Sequence, residues 1–291
     1  MALSRYIKRC DQQVFLGAQL AGLLWRMGDS KNALRFSNDA VEKVRFIPHR
    51  FTATHTLLKA VNQLAFAGME EVVLASSTKF SPPANTWSLA YLAQRKAFGC
   101  EIDKTRSLLK MISTILDADT TNHPMILEIR ARMAVSYQWI GDVETANHHA
   151  GMAYLIHQGL VAEFGKDNGR YYVVRALAAT GRFDEADAAA RMISDPRQKA
   201  IAYVVLADAN ILLDRREEGL AYIQAAEKTI DQMDDDQKGF SRVGLAYARA
   251  RAGLDPKYGE IKNPAHRANA YVHVAQVLLD IRDGVGPGRC Q

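Results

Sequence analysis

Cysteine is scarce in this chain of 291 residues, and its three copies, Cys10, Cys100 and Cys290, lie far apart. No CxxC or comparable spacing exists, so neither a disulfide framework nor a cysteine metal site is expected. The three read as isolated reduced thiols of a cytoplasmic protein. Long apolar runs are missing too: none approaches the roughly 20 residues that a membrane-spanning helix needs. The start, MALSRYIKRCDQQVFLGAQLAGLLW, is basic and then apolar, as a signal peptide is. Asp11, Gln12 and Gln13 interrupt it, and the apolar residues that follow keep helical spacing instead. Sustained two-residue alternation is absent, which excludes much sheet. GxSxG, the P-loop, GxGxxG and HExxH are all absent, so no catalytic residue and no cofactor is expected. His148, His149 and His157 do not suit one metal ion, because 149 and 157 are separated by about 12 Å of helical rise. Asp234, Asp235 and Asp236 lack the glycine and closing glutamate of a calcium loop and fit a helix N-terminus better.

What the chain does have is a copy of itself. Ile193–Ala207 returns as Ile261–Ala275, with Pro196/Pro264, Ala200/Ala268, Tyr203/Tyr271 and Ala207/Ala275 matching at an offset of 68, twice a unit of 34. A fixed period of this length marks stacked helix pairs. Asp195 before Pro196, and Asn263 before Pro264, are N-caps at equivalent positions. Turn marks fall at Gly28, Gly68, Gly99, Gly141, Gly181, Asp214 and Gly253. Three of them, Gly28, Gly141 and Gly181, are followed five residues later by Ala33, Ala146 and Ala186, and Asp214 by Gly219. A left-handed residue ends one helix there, and a small residue lets the next pack closely. Between the marks the apolar spacing is helical, as in Ile201, Val204, Val205, Ala209 and Leu212. The expected fold is all-α, with about seven antiparallel helix pairs and a final helix near 264–282. It forms one array over 1–283, with a degenerate basic half at 1–121, clearer repeats at 122–283 and a frayed tail at 284–291. The second helix of the last pair, after Gly253, is expected to be about one turn long.

The Gly-x-x-x-x-Ala turn, the small residue midway through the first helix, and proline between units resemble the tetratricopeptide repeat. Met133-Ala134 and Tyr137 precede Gly141, Leu206-Ala207 precede Asp214, and Leu245-Ala246 precede Gly253. Ala40, Ala153 and Ala226 match the small position of the second helix. The resemblance covers mainly residues 122–282. It implies a right-handed superhelix, an α-solenoid, whose first helices line a concave groove that binds a peptide or helix of another protein. Carried over residue by residue, the groove row is Tyr171, Arg175, Asp208, Tyr247 and Gln276, with Val204, Val243 and Val272 beside it. The lysine and asparagine set with which some members clamp a C-terminal carboxylate is not found.

Charge is unevenly spread: residues 1–110 hold 16 Lys and Arg against 8 Asp and Glu, and the remainder holds 21 against 24. Arg5, Lys8, Arg9, Lys43, Arg45 and Arg50 form a candidate basic patch for a nucleic-acid backbone. The uneven repeat spacing does not fit base-by-base RNA reading. The leading expectation is a non-enzymatic cytoplasmic scaffold or adaptor, with no membrane partner. The alternatives are nucleic-acid association through the basic half and a peptide-sensing regulator. Val14–Leu24 could pair with another subunit through an exposed repeat end.

Overall fold

The computed structural model describes residues 10–48, 50–117, 123–164 and 169–284, apart from the side chains of Arg50, Phe51 and Asp236. Fourteen α-helices and no strand occur among them. In chain order these are α1 (Cys10–Arg26), α2 (Ser30–Lys43), α3 (Arg50–Ala67), α4 (Glu70–Ser77), α5 (Ala84–Phe98), α6 (Ile102–Asp117) and α7 (Pro124–Trp139). They continue with α8 (Val143–Phe164), α9 (Arg170–Ala179), α10 (Phe183–Arg191), α11 (Pro196–Leu212), α12 (Arg216–Asp231), α13 (Asp235–Arg251) and α14 (Pro264–Arg282). None of the described helices is long and apolar enough to cross a membrane.

Caps start the helices where the sequence puts them. Asp195 accepts from the N–H groups of Arg197 and Gln198, and Asn263 from those of Ala265 and His266, each ahead of a proline in the first turn. These side chains satisfy amides that have no partner within the helix. The turns that end the odd-numbered helices share one construction. Gly28, Gly68, Gly141, Gly181, Asp214 and Gly253 all have positive φ. In each, the following N–H bonds back to a carbonyl five residues earlier, as Asp142 does to Tyr137 at 2.9 Å and Arg215 to Asn210 at 2.9 Å. The turn expected at Gly99 sits one residue later: Gly99 has φ −88°, and Cys100 takes the left-handed role at φ 57°. Asp214, at φ 58°, stands where glycine relieves the clash between Cβ and carbonyl. Asp214→Gly is therefore expected to raise stability by about 0.5–1 kcal/mol. A higher urea midpoint at unchanged slope is the readout, and an unchanged or lower midpoint would count against the assignment.

Small residues then bring the paired helices together. Ala33, Ala146 and Ala186 are fully buried. At Gly219 a Cβ would meet Ile211 Cγ1 at 2.6 Å and the Ala207 carbonyl at 3.2 Å, so α12 rests on α11 with no room for a side chain. Large apolar side chains such as Leu64, Leu92, Leu127, Met133 and Leu206 fill the space between pairs, in a continuous core running from Val14 to Leu206. Two smaller clusters, around Ile223 and Val274, complete the C-terminal third.

The pairing runs α1 with α2, α3 with α4, and so on to α11 with α12. After α13 comes only a three-residue 3-10 turn, Tyr258–Glu260, and then α14, which packs on α13. The odd-numbered helices also touch in series from α1 to α13, and α14 packs back against α1. The contacts therefore form a closed circuit, with the even-numbered helices on the odd ones. Val14, Ala18 and Ala21, within the segment expected to face another subunit, are buried, and α1 packs on α2, α3 and α14 of its own chain. Cys100 is disulfide-bonded, while Cys10 is free and exposed. That corrects the reading of three isolated thiols and removes the cysteine argument for a reducing compartment.

Candidate functional site

The odd-numbered helices from α3 to α13, together with α14, line a cavity of about 650 Å³ that opens to solvent. Of the expected groove row, Tyr171, Arg175, Asp208 and Tyr247 line it, as do Val204 and Val243. They come together because each lies six or ten residues before a turn residue of shared construction, Gly181, Asp214 or Gly253, so each helix presents the same face inward.

Gln276 does not line the cavity. Asn269, His273, Gln276 and Asp280 form one stripe of α14, at spacings of four, three and four residues. The upper half, Asn269 and His273, reaches the cavity. The lower half is covered: Gln276 is 1% exposed, its carbonyl accepts from Arg26 at 3.0 Å, and Asp280 is buried. Val272 is likewise buried rather than lining. The equivalence drawn from the repeat fails here because α14 meets α1, which no inner helix of an open array does.

A buried polar cluster stands on the α5–α7 side. The Tyr91 hydroxyl donates to Glu128 Oε1 at 2.9 Å, and Arg132 donates to the same oxygen through Nε at 3.0 Å and Nη2 at 2.7 Å. Arg132 also donates to Gln94 Oε1 at 2.6 Å, and its guanidinium lies over the Tyr91 ring at 3.4 Å. Burial pushes the Glu128 carboxyl up, but Arg132 and the Tyr172 hydroxyl outweigh it and hold it below the usual carboxylate range. Burial raises the Tyr91 and Tyr172 hydroxyls above the ordinary tyrosine range, so both stay protonated donors.

Opposite stands a second cluster. Arg251 bonds Asp208 Oδ1 through Nε at 3.0 Å and the Tyr247 hydroxyl at 2.8 Å. It continues to Asp280 at 3.4 Å, where Arg26 (2.7 Å) and Arg95 (3.0 Å) also converge. Side chains from α1, α5, α13 and α14 thus meet below the cavity. Above this hub the α1–α14 contact is polar: Gln19 Nε2 donates to Asn269 Oδ1 at 2.6 Å. Buried atoms without a partner gather at the same contact, namely Gln19 Oε1, Arg26 Nε and both side-chain polar atoms of Gln276.

No family model, curated protein or solved structure matches this chain. The site is accordingly read from its own chemistry. Among the described residues no group of three His, Cys, Asp or Glu side chains could hold a metal ion. His149 is buried, stacks on Tyr137 at 5.3 Å and takes a hydrogen bond from Arg130 at 3.2 Å. Of the expected basic patch, only the side chains of Lys43 and Arg45 lie among the described residues. Lys43 pairs with Asp39 at 2.7 Å and Arg45 lies over the Phe46 ring at 4.9 Å. Arg5, Lys8 and Arg9 lie outside the described residues, as does the side chain of Arg50.

The sequence reading missed Gln94, Glu128 and Arg132. Arg175, Asp208 and Tyr247 each stand six residues before their turn residue, and so does Gln94 once the turn is placed at Cys100. Placing it at Gly99 points instead to Ala93, which is fully buried. Val135, six before Gly141, follows the same rule and lines the cavity. Glu128 and Arg132 carried a signal of their own, an opposite-charge pair four residues apart on a helix otherwise apolar on that face.

Proposed function

We propose that this chain is a non-enzymatic binding protein that holds a short extended peptide, or a molecule of that size, in its interior cavity. In this reading the circuit of helices is one turn of a right-handed tetratricopeptide-like superhelix, and its concave face is the cavity wall. The carrying observation is the size and lining of the cavity. About 650 Å³ lies within the range of small-molecule sites. That size favours the peptide-sensing reading over a scaffold that docks a helix. Aromatic and aliphatic walls with a few polar groups, among them Tyr171, Arg175, Asp208 and Tyr247, fit such a ligand.

A neutral apolar fluorophore, N-phenyl-1-naphthylamine, tests the cavity. Its fluorescence is expected to rise on titration with the wild type and to be lost in Val204→Trp, which fills the space from α11. Equal fluorescence in a Val204→Trp variant with unchanged far-ultraviolet circular dichroism would remove the cavity as the binding site.

A further inference from the structure

Four charged side chains stand on the cavity wall: Glu128, Arg132, Arg175 and Asp208. Three are neutralised within the protein. Arg132 and Glu128 pair with each other at 2.7 Å, and Asp208 pairs with Arg251 at 3.0 Å. Arg175 makes no ion pair and no hydrogen bond with any described residue. Its charge is felt by Glu128, but that carboxylate is already occupied by Arg132, Tyr91 and Tyr172. Arg175 carries a planar fork of N–H donors that matches a carboxylate. A half-buried guanidinium facing an apolar space without such a partner is unfavourable, and a ligand that supplies one relieves it.

Two further observations describe the rest of the ligand. The rings of Tyr171 and Tyr172 lie 4.1 Å apart, one helical turn from Arg175 on the same wall. Gln63 and Gln138, also on the cavity wall, each have a buried side-chain oxygen with no partner. These accept N–H groups.

We propose that the ligand of this cavity carries a single carboxylate bound by Arg175, with an apolar or aromatic body against Tyr171 and Tyr172. The proposal rests on the cavity being the binding site, as set out above. One unpaired cation calls for one negative charge. A phosphate, with about −1.5 to −2 charges, would leave excess negative charge beside Glu128 and Asp208. The carboxylate could belong to a free acid or to the C-terminus of a short peptide, so both are probed.

The test displaces bound N-phenyl-1-naphthylamine with 4-phenylbutyrate, indole-3-acetate and N-acetyl-Val-Leu-Phe, each against its uncharged amide. On the wild type at least one acid is expected to bind about tenfold or more tightly than its amide. Arg175→Met should abolish that preference and leave fluorophore binding intact, while Arg175→Lys should keep part of it. Preference for the tripeptide would identify a peptide C-terminus, and preference for the small acids a metabolite-sized ligand. Equal binding of acids and amides, or a preference that survives in Arg175→Met, would overturn the assignment. Fluorophore binding with no displacement by any acid would overturn it too while leaving the cavity reading in place. No fluorophore binding at all would overturn both.

Discussion

Asp280→Ala is expected to lower stability by about 3–5 kcal/mol and to loosen α1 from α14. Asp280 is 2% exposed and is the common partner of Arg26, Arg95 and Arg251. Without it, two of the three guanidiniums lose their closest carboxylate, and Arg251 keeps only Asp208. Burial, then the nearby Arg26 charge, already holds Arg95 below the usual arginine range, a sign that these cations repel each other. Asp283, by contrast, is about one-third exposed and touches Arg26 at 3.4 Å, so Asp283→Ala should change stability by less than about 1 kcal/mol. Urea unfolding followed by circular dichroism gives the loss, and hydrogen exchange in α1 reports the loosening. A loss below about 1 kcal/mol for Asp280→Ala would show that the three arginines do not depend on it.

Acid is expected to act through two histidines. Burial, with the charges of Arg130 and His148, pushes the His149 ring from 6.5 down to about 3. Burial likewise pushes His273 from 6.5 down to about 4. Both rings bind a proton more weakly in the folded chain than in the unfolded one. Between the two values the unfolded chain holds more protons, so stability rises with pH. The contribution is complete above about pH 6.5 and is lost as pH falls through the window, at up to about 1.4 kcal/mol per pH unit for each ring. Because His273 borders the cavity, the combined loss between about pH 7 and pH 5 is put at roughly 2–4 kcal/mol. His149→Gln keeps an acceptor for Arg130 but cannot titrate, and should remove about half of that pH dependence. Urea midpoints measured across this range decide it, and an unchanged slope in both His149→Gln and His273→Gln would reject the account.

The helical class, the capped starts of α11 and α14, and most turn positions were legible in the sequence. Each depends on chemistry that is local along the chain: a proline, an Asx cap or a left-handed residue followed by a small one. Four of the five residues expected to share one inward row line the cavity for the same reason, since their register is counted from those local turns. The failures have a common physical origin. Cys100 occupies a conformation that glycine prefers, and the adjacent Gly99 drew the turn one residue too early, which hid Gln94. Gln276 was misplaced because repeat identity says nothing about contacts between the first unit and the last. The Asp280 hub joins residues more than 180 apart, Arg95 to Asp280 being separated by 185, and no spacing along the chain points to it.

Contact between α1 and α14 also constrains how such a chain can change over time. An open array of repeats can gain or lose a unit at little cost, since each unit meets only its neighbours. Here Arg26 and Asp280 meet at 2.7 Å only because the intervening pairs turn through the angle that brings them together. A duplicated or deleted pair would carry them apart, leave buried charges on both sides without partners and change the volume of the cavity at the same time. The number of helix pairs is thus tied to the integrity of the cavity, so on the binding role proposed above new specificity would come from substitutions on the cavity wall and not from added pairs.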